Sequence, residues 1–109
     1  MATLQSTVDV IAENMSGAGN ITSRKMFGEY ALYLDGKVIA FICDDNFYIK
    51  PTEEGKKFYP DFEDAPPYPG AKMYMLISED TWEDREFMTK LAIITANSLP
   101  TPKPKRKRT

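Results

Sequence analysis

The sequence predicts an α+β fold: an antiparallel β-meander of about four or five strands flanked by an N-terminal and a C-terminal helix. Two observations carry this. Between Tyr30 and Lys50 the residues alternate in character and are broken twice by short turn-forming groups, as consecutive antiparallel strands require. Towards both ends of the 109-residue chain, apolar residues recur at helical spacing instead, which supplies elements to cover the sheet.

Leu4, Val8, Ile11, Ala12 and Met15 fall on one stripe of a helix that stops near Gly17, where glycine suits a helix C-terminus. Residues 16–23 read as a polar loop into the sheet. Tyr30, Leu32 and Leu34 then alternate with Ala31, Tyr33 and Asp35, and after Asp35-Gly36 the positions Val38, Ala40 and Ile42 alternate with Ile39, Phe41 and Cys43. Asp-Gly fits a two-residue hairpin turn because both central residues take positive φ. A second turn at Asp44, Asp45 and Asn46 leads to a strand of Phe47, Tyr48 and Ile49 that ends at Pro51, since proline has no N–H for the ladder. Large apolar groups on both faces around Val38 to Ile42 make that strand central, with helices over one face and a partner expected on the other.

Residues 52–58 predict a short helix with Thr52 as its cap and Glu53 and Glu54 in its first turn, where the helix dipole favours negative charge. Four prolines in residues 59–70 exclude a helix or central strand there, so this stretch reads as a surface loop anchored by Phe62 and Tyr68. A further strand is expected over residues 73–77. Ser78, Asp80 and Thr81 are the cap candidates for a last helix whose buried side carries Trp82, Phe87, Met88, Leu91, Ile94 and Thr95 and which Pro100 stops.

The length supports one domain, residues 1–99, burying about two thirds of its unfolded surface, followed by a disordered basic tail, residues 100–109. Lys103, Lys105, Arg106, Lys107 and Arg108 are five of the 14 basic residues; the remainder sets nine against 16 acidic residues, a formal charge of −7. Such a cationic string can hold nucleic-acid phosphates through counterion release, and it can equally be a solvated terminus. One cysteine allows no intramolecular disulfide, and no signal peptide or membrane span is visible, so a cytoplasmic location is expected.

Chemistry is bounded mainly by what is missing. The chain has no histidine, which removes the usual neutral-pH base, the commonest zinc ligand and any histidine-activated nucleophile. Cys43 lies in a strand beside Phe41, Ile42, Asp44 and Asp45, a setting for a buried structural thiol. Glu79, Asp80, Glu83 and Asp84 serve a helix first turn rather than a metal. No catalytic residue, metal or cofactor is therefore expected. Arg24 and Lys25 before Met26, Phe27 and Gly28 offer paired cations at a strand entrance for an acidic partner or a phosphate, although strand-edge cations also discourage edge pairing. Tyr30, Tyr48, Lys50, Tyr68 and Tyr74 are the candidates for a ligand pocket between the sheet and the proline-rich loop.

The string Arg24-Lys25-Met26-Phe27-Gly28, with Tyr30, Leu32-Tyr33, Asp35-Gly36, Phe41, Tyr48-Ile49-Lys50, Tyr68-Pro69-Gly70, Met73 and Tyr74, resembles the N-terminal domain of the TfoX/Sxy family over about residues 4–97. The resemblance implies a regulatory or adaptor domain without enzymatic activity. Longer members regulate competence for DNA transformation, acting with the cyclic-AMP receptor protein at promoters and carrying a helical C-terminal domain. Here KPKRKR stands where that second domain would begin. The expected partners are a protein of the transcription machinery or of the cyclic-AMP receptor type, nucleic acid through the tail, and a second copy of the chain through a sheet face or edge. The alternative is a small-molecule-binding domain or an enzyme using the tyrosine-lined pocket.

Overall fold

The two hairpin turns set the sheet register. Asp35 and Gly36 take φ of 51° and 88°, and Asp44 and Asp45 take 54° and 60°, the left-handed geometry that matches the twist of a two-residue hairpin. In this computed structural model, which describes residues 4–26 and 29–99, these turns join β2 (Glu29–Leu34), β3 (Lys37–Cys43) and β4 (Asn46–Ile49). The second turn is two residues rather than three, with Asn46 already in the strand opposite Cys43.

Among the described residues the sheet has six strands, two of them absent from the expected meander. Residues 21–26, half of which were expected as loop, form β1 (Ile21–Met26) on one edge, and the proline-rich stretch contributes β5 (Glu63–Ala65) on the other. With β6 (Tyr74–Ile77) the order is β1-β2-β3-β4-β6-β5, antiparallel at every pairing. Both additions are exposed strands of polar sequence, so they lack the alternation that marks a half-buried strand.

Among the described residues three α-helices accompany the sheet: α1 (Gln5–Met15), α2 (Glu53–Phe58) and α3 (Arg85–Ser98). Val8, Ile11 and Met15 of α1 and Met88, Leu91, Ala92 and Ala96 of α3 share one core with Leu32, Ala40, Ile42, Phe47, Ile49, Met75 and Ile77. Directly paired strand residues point to one face, and the pairs Leu32–Ala40, Ile42–Phe47, Phe47–Ile77 and Ile49–Met75 make this the helix-covered side. A register shift at Leu32/Tyr33 leaves Ile39 as the extra residue on β3, the two-against-one pattern of a β-bulge. Ile39 is fully buried in the same core.

Local contacts refine the expected ends. Leu4 is the N-cap of α1 and is 60% exposed, so it lies off the buried stripe. Thr52 caps α2 as expected, its hydroxyl accepting from the Gly55 N–H at 2.9 Å. Ser78 caps only a short 3-10 turn, Glu79–Thr81, and Asp84 caps α3 by accepting from the Phe87 N–H. Trp82 therefore precedes α3, buried, with its indole N–H donating to the Ile77 carbonyl at 3.2 Å. Among the described residues no helix is long and apolar enough to cross a membrane.

Candidate functional site

Each face of the sheet is assigned by register. The pairs Met26–Glu29, Arg24–Ala31, Ala31–Phe41 and Phe41–Tyr48 lie on the side opposite the helices. On this open face Phe41 is the hub: Tyr74 lies beside it with ring centroids 5.6 Å apart, and Tyr68 meets it edge-on at 6.3 Å. The edge-on contact brings the positive edge of one ring to the negative face of the other.

Two adjoining hollows mark this face. The first, about 500 Å³, is lined by Met26, Glu29, Tyr30, Phe41, Cys43 and Tyr68. The second, about 360 Å³, shares Glu29, Cys43 and Tyr68 and adds Asp44, Tyr48 and the prolines Pro66, Pro67 and Pro69. Pro67 is buried while Tyr68 is 52% exposed. The loop is thus seated by Pro67 and by Phe62, which packs against the core as expected, while Tyr68 rests edge-on against Phe41 with half its surface exposed at the hollow. Glu29 is held at the rim because its carboxylate accepts the Asp44 backbone N–H at 3.0 Å.

The expected pocket set divides. Tyr48, Tyr68 and Tyr74 come together on the open face, whereas Tyr30 borders the first hollow but pairs with Ile42 on the helix side, its hydroxyl donating to Gln5 Oε1 of α1 at 2.9 Å. Lys50 lines neither hollow; its backbone N–H extends the ladder to the Ile39 carbonyl. The cationic set divides too. Arg24 and Met26 point to the open face, and Lys25, paired with Tyr30, points to the other. Phe27, Gly28 and the tail residues Lys103, Lys105, Arg106, Lys107 and Arg108 lie outside the described residues. Phe41, Glu29 and Pro67 were not anticipated, yet counting outward from the Asp44-Asp45 turn pairs Phe41 with Tyr48.

Protonation follows from burial and nearby carboxylates. Burial first, then the charges of Glu29 and Asp44, push the Cys43 thiol up to about 11. Burial also raises Tyr48, against a lowering hydrogen bond from Asn46, with Cys43, Asp44 and Glu29 adding to the rise. Tyr74 is raised by burial and by Tyr68. All three move away from neutral pH, and Cys43 is a protonated thiol there. Among the described residues no group of three or more histidine, cysteine or acidic side chains is placed to hold a metal ion. The arrangement is an aromatic and apolar surface with a negative rim.

The sequence profile of the TfoX N-terminal domain matches residues 13–97. A relative in Spirochaeta aurantia, described as an uncharacterized 12.7 kDa protein in trpE 5'region, is 38% identical over 109 residues, covering 100% of this chain and 94% of that protein.

Proposed function

Because the chain belongs to the TfoX N-terminal domain family, we propose that it is a non-enzymatic regulatory adaptor that binds a protein partner on its open side and nucleic acid through its basic tail. Regulation of transcription or of competence for DNA uptake is the setting, with a component of the transcription machinery or a cyclic-AMP-receptor-type regulator as partner. The observation that carries the reading is the open face itself. It presents an accessible aromatic surface, and the titratable groups Cys43, Tyr48 and Tyr74 on it are displaced from the range useful for acid–base work.

Arg24 and Lys25 support a partner at the adjoining edge. They are successive residues, pointing to opposite faces, of an edge strand whose outer rim has no pairing strand among the described residues, and neither forms a salt bridge among the described residues. Edge cations meet an acidic segment favourably and repel a second copy of the same edge. The test compares the full chain with the double variant R24E/K25E as bait in extracts of the native cell. The expected outcome is a specifically captured protein lost from the variant while the thermal midpoint moves by less than about 2 °C, as for exposed sites. Equal capture by both baits overturns the reading at this edge.

A further inference from the structure

The hollow between Glu29 and Tyr68 combines three features that together select a ligand type. Its lining includes the apolar side chains of Phe41 and Met26. Its walls include the Tyr68 ring, and Phe41 also contacts Tyr74. Its rim holds the Glu29 carboxylate, fixed by the Asp44 N–H, and Asp44 lines the adjoining hollow. Aromatic faces beside carboxylates favour a cation on a long aliphatic stem, the shape of lysine and arginine side chains.

The densest source of such side chains is the chain itself, whose last residues carry five cations against a remainder of formal charge −7. We propose that this hollow docks the chain's own basic segment, residues 103–108, with a lysine or arginine side chain lying across Phe41 and Tyr68 towards Glu29. The route is short enough within one molecule. Leu99 is tied to the start of β3, its carbonyl accepting from Lys37 Nζ at 3.3 Å. Phe41 lies four strand steps further, roughly 13 Å, and crossing from the helix layer to the open face adds roughly 10 Å. Nine residues beyond Leu99 span up to about 30 Å, enough for the last basic residues to reach Phe41. The hollow lies on the face to which Arg24 points, and a tail docked there is available to phosphates only when it leaves the hollow.

The test uses amide resonances of the full chain and of a variant in which Lys103, Lys105, Arg106, Lys107 and Arg108 are all replaced by Gln. At low salt the two should differ at Phe41, Cys43, Tyr68 and Tyr74, with the difference unchanged on dilution and collapsing near ~0.5 M salt, where screening is short-ranged. A peptide of residues 100–109 added to the Gln variant should restore the shifts. E29Q, which keeps the oxygen that accepts from Asp44, and Y68A, at an exposed ring, should each weaken that peptide by roughly three- to fivefold. R24E, which removes the cation from the same face, should tighten it by a similar factor. Identical spectra, shifts confined to the separate acidic hollow of Asp61, Glu63 and Glu79, dilution-dependent shifts, or indifference to E29Q and Y68A would each overturn docking within one molecule. None of these outcomes depends on whether a partner is captured at the β1 edge.

Discussion

Thr95 is fully buried on α3, and its Oγ1 has no hydrogen-bond partner among the described residues. A buried hydroxyl without a partner loses its hydration and gains nothing in return. Thr95→Val keeps the shape and removes the polar atom, so it should raise stability by about 1 kcal/mol, read as a melting midpoint higher by roughly 5 °C. Cys43 gives the second prediction at this scale. With its thiol pushed up to about 11, alkylation should accelerate with pH well beyond pH 9 and level off near 11; a plateau near 8.5 would show an exposed thiol instead. The linkage has a definite sign. Cys43 contributes stability fully below the unfolded-state value of 9.0 and loses it as pH rises through about 11, so unfolding should become easier across that window. The buried, raised thiol was legible from Phe41, Ile42 and the two following aspartates, whereas the orphan at Thr95 depends on packing that no local pattern encodes.

At the scale of elements, the structure joins pieces that the sequence presents separately. α1 has no side-chain cap of its own and no acidic residue in its first turn. Asp45, in the β3–β4 turn, supplies both functions: its Oδ1 accepts from the Leu4 N–H at 2.9 Å and from the Thr7 hydroxyl at 3.0 Å. It does so from φ 60°, a conformation that aspartate and asparagine tolerate better than most residues. Asp45→Asn should therefore cost only a few tenths of a kcal/mol, and Asp45→Ala, which loses the cap and strains the turn, about 2 kcal/mol by denaturant unfolding. Equal costs would mean that backbone strain is not part of the effect. Asp35 plays a comparable part at the other end of the sheet, its carboxylate accepting from the Asn20 N–H at 3.0 Å. Both aspartates were readable as turn formers because their local pattern is strong; their long-range acceptor roles were not, since the partners lie 15 to 41 residues away. β2, β3, β4, α1 and α2 were legible for the same local reasons. β1 and β5 were not, because an exposed edge strand is held by its neighbour's backbone and needs no apolar alternation. The β-bulge at Ile39 had a further consequence. It breaks the register that the Asp35-Gly36 turn would otherwise impose, placing Leu32 opposite Ala40 rather than Ile39, so the face of each residue beyond it could not be counted from that turn. Tyr30 fell on the helix side, away from the tyrosines with which it was grouped.

For the whole molecule, the sheet divides the work between its faces. The helix side holds the shared core and with it the stability; the open side holds an aromatic surface and a negative rim whose loss would not empty the core. A body of formal charge −7 repels nucleic acid in general, so the proposed attachment to DNA rests on the five clustered tail cations. Fluorescence anisotropy with labelled duplex should then show binding by the full chain and none by a version ending at Leu99, with a log–log salt slope reaching about −4.5 if all five cations meet phosphates. The hollow competes for the same cations. A ligand that must first leave an internal site binds more weakly by the fraction of time that it is free, so E29Q should tighten DNA binding at low salt although it leaves the tail unchanged. That gain should vanish as salt dissolves the internal contact, giving E29Q a steeper salt dependence than the parent chain. Parallel salt lines for the two proteins, offset or not, would show that hollow and phosphate do not share the tail.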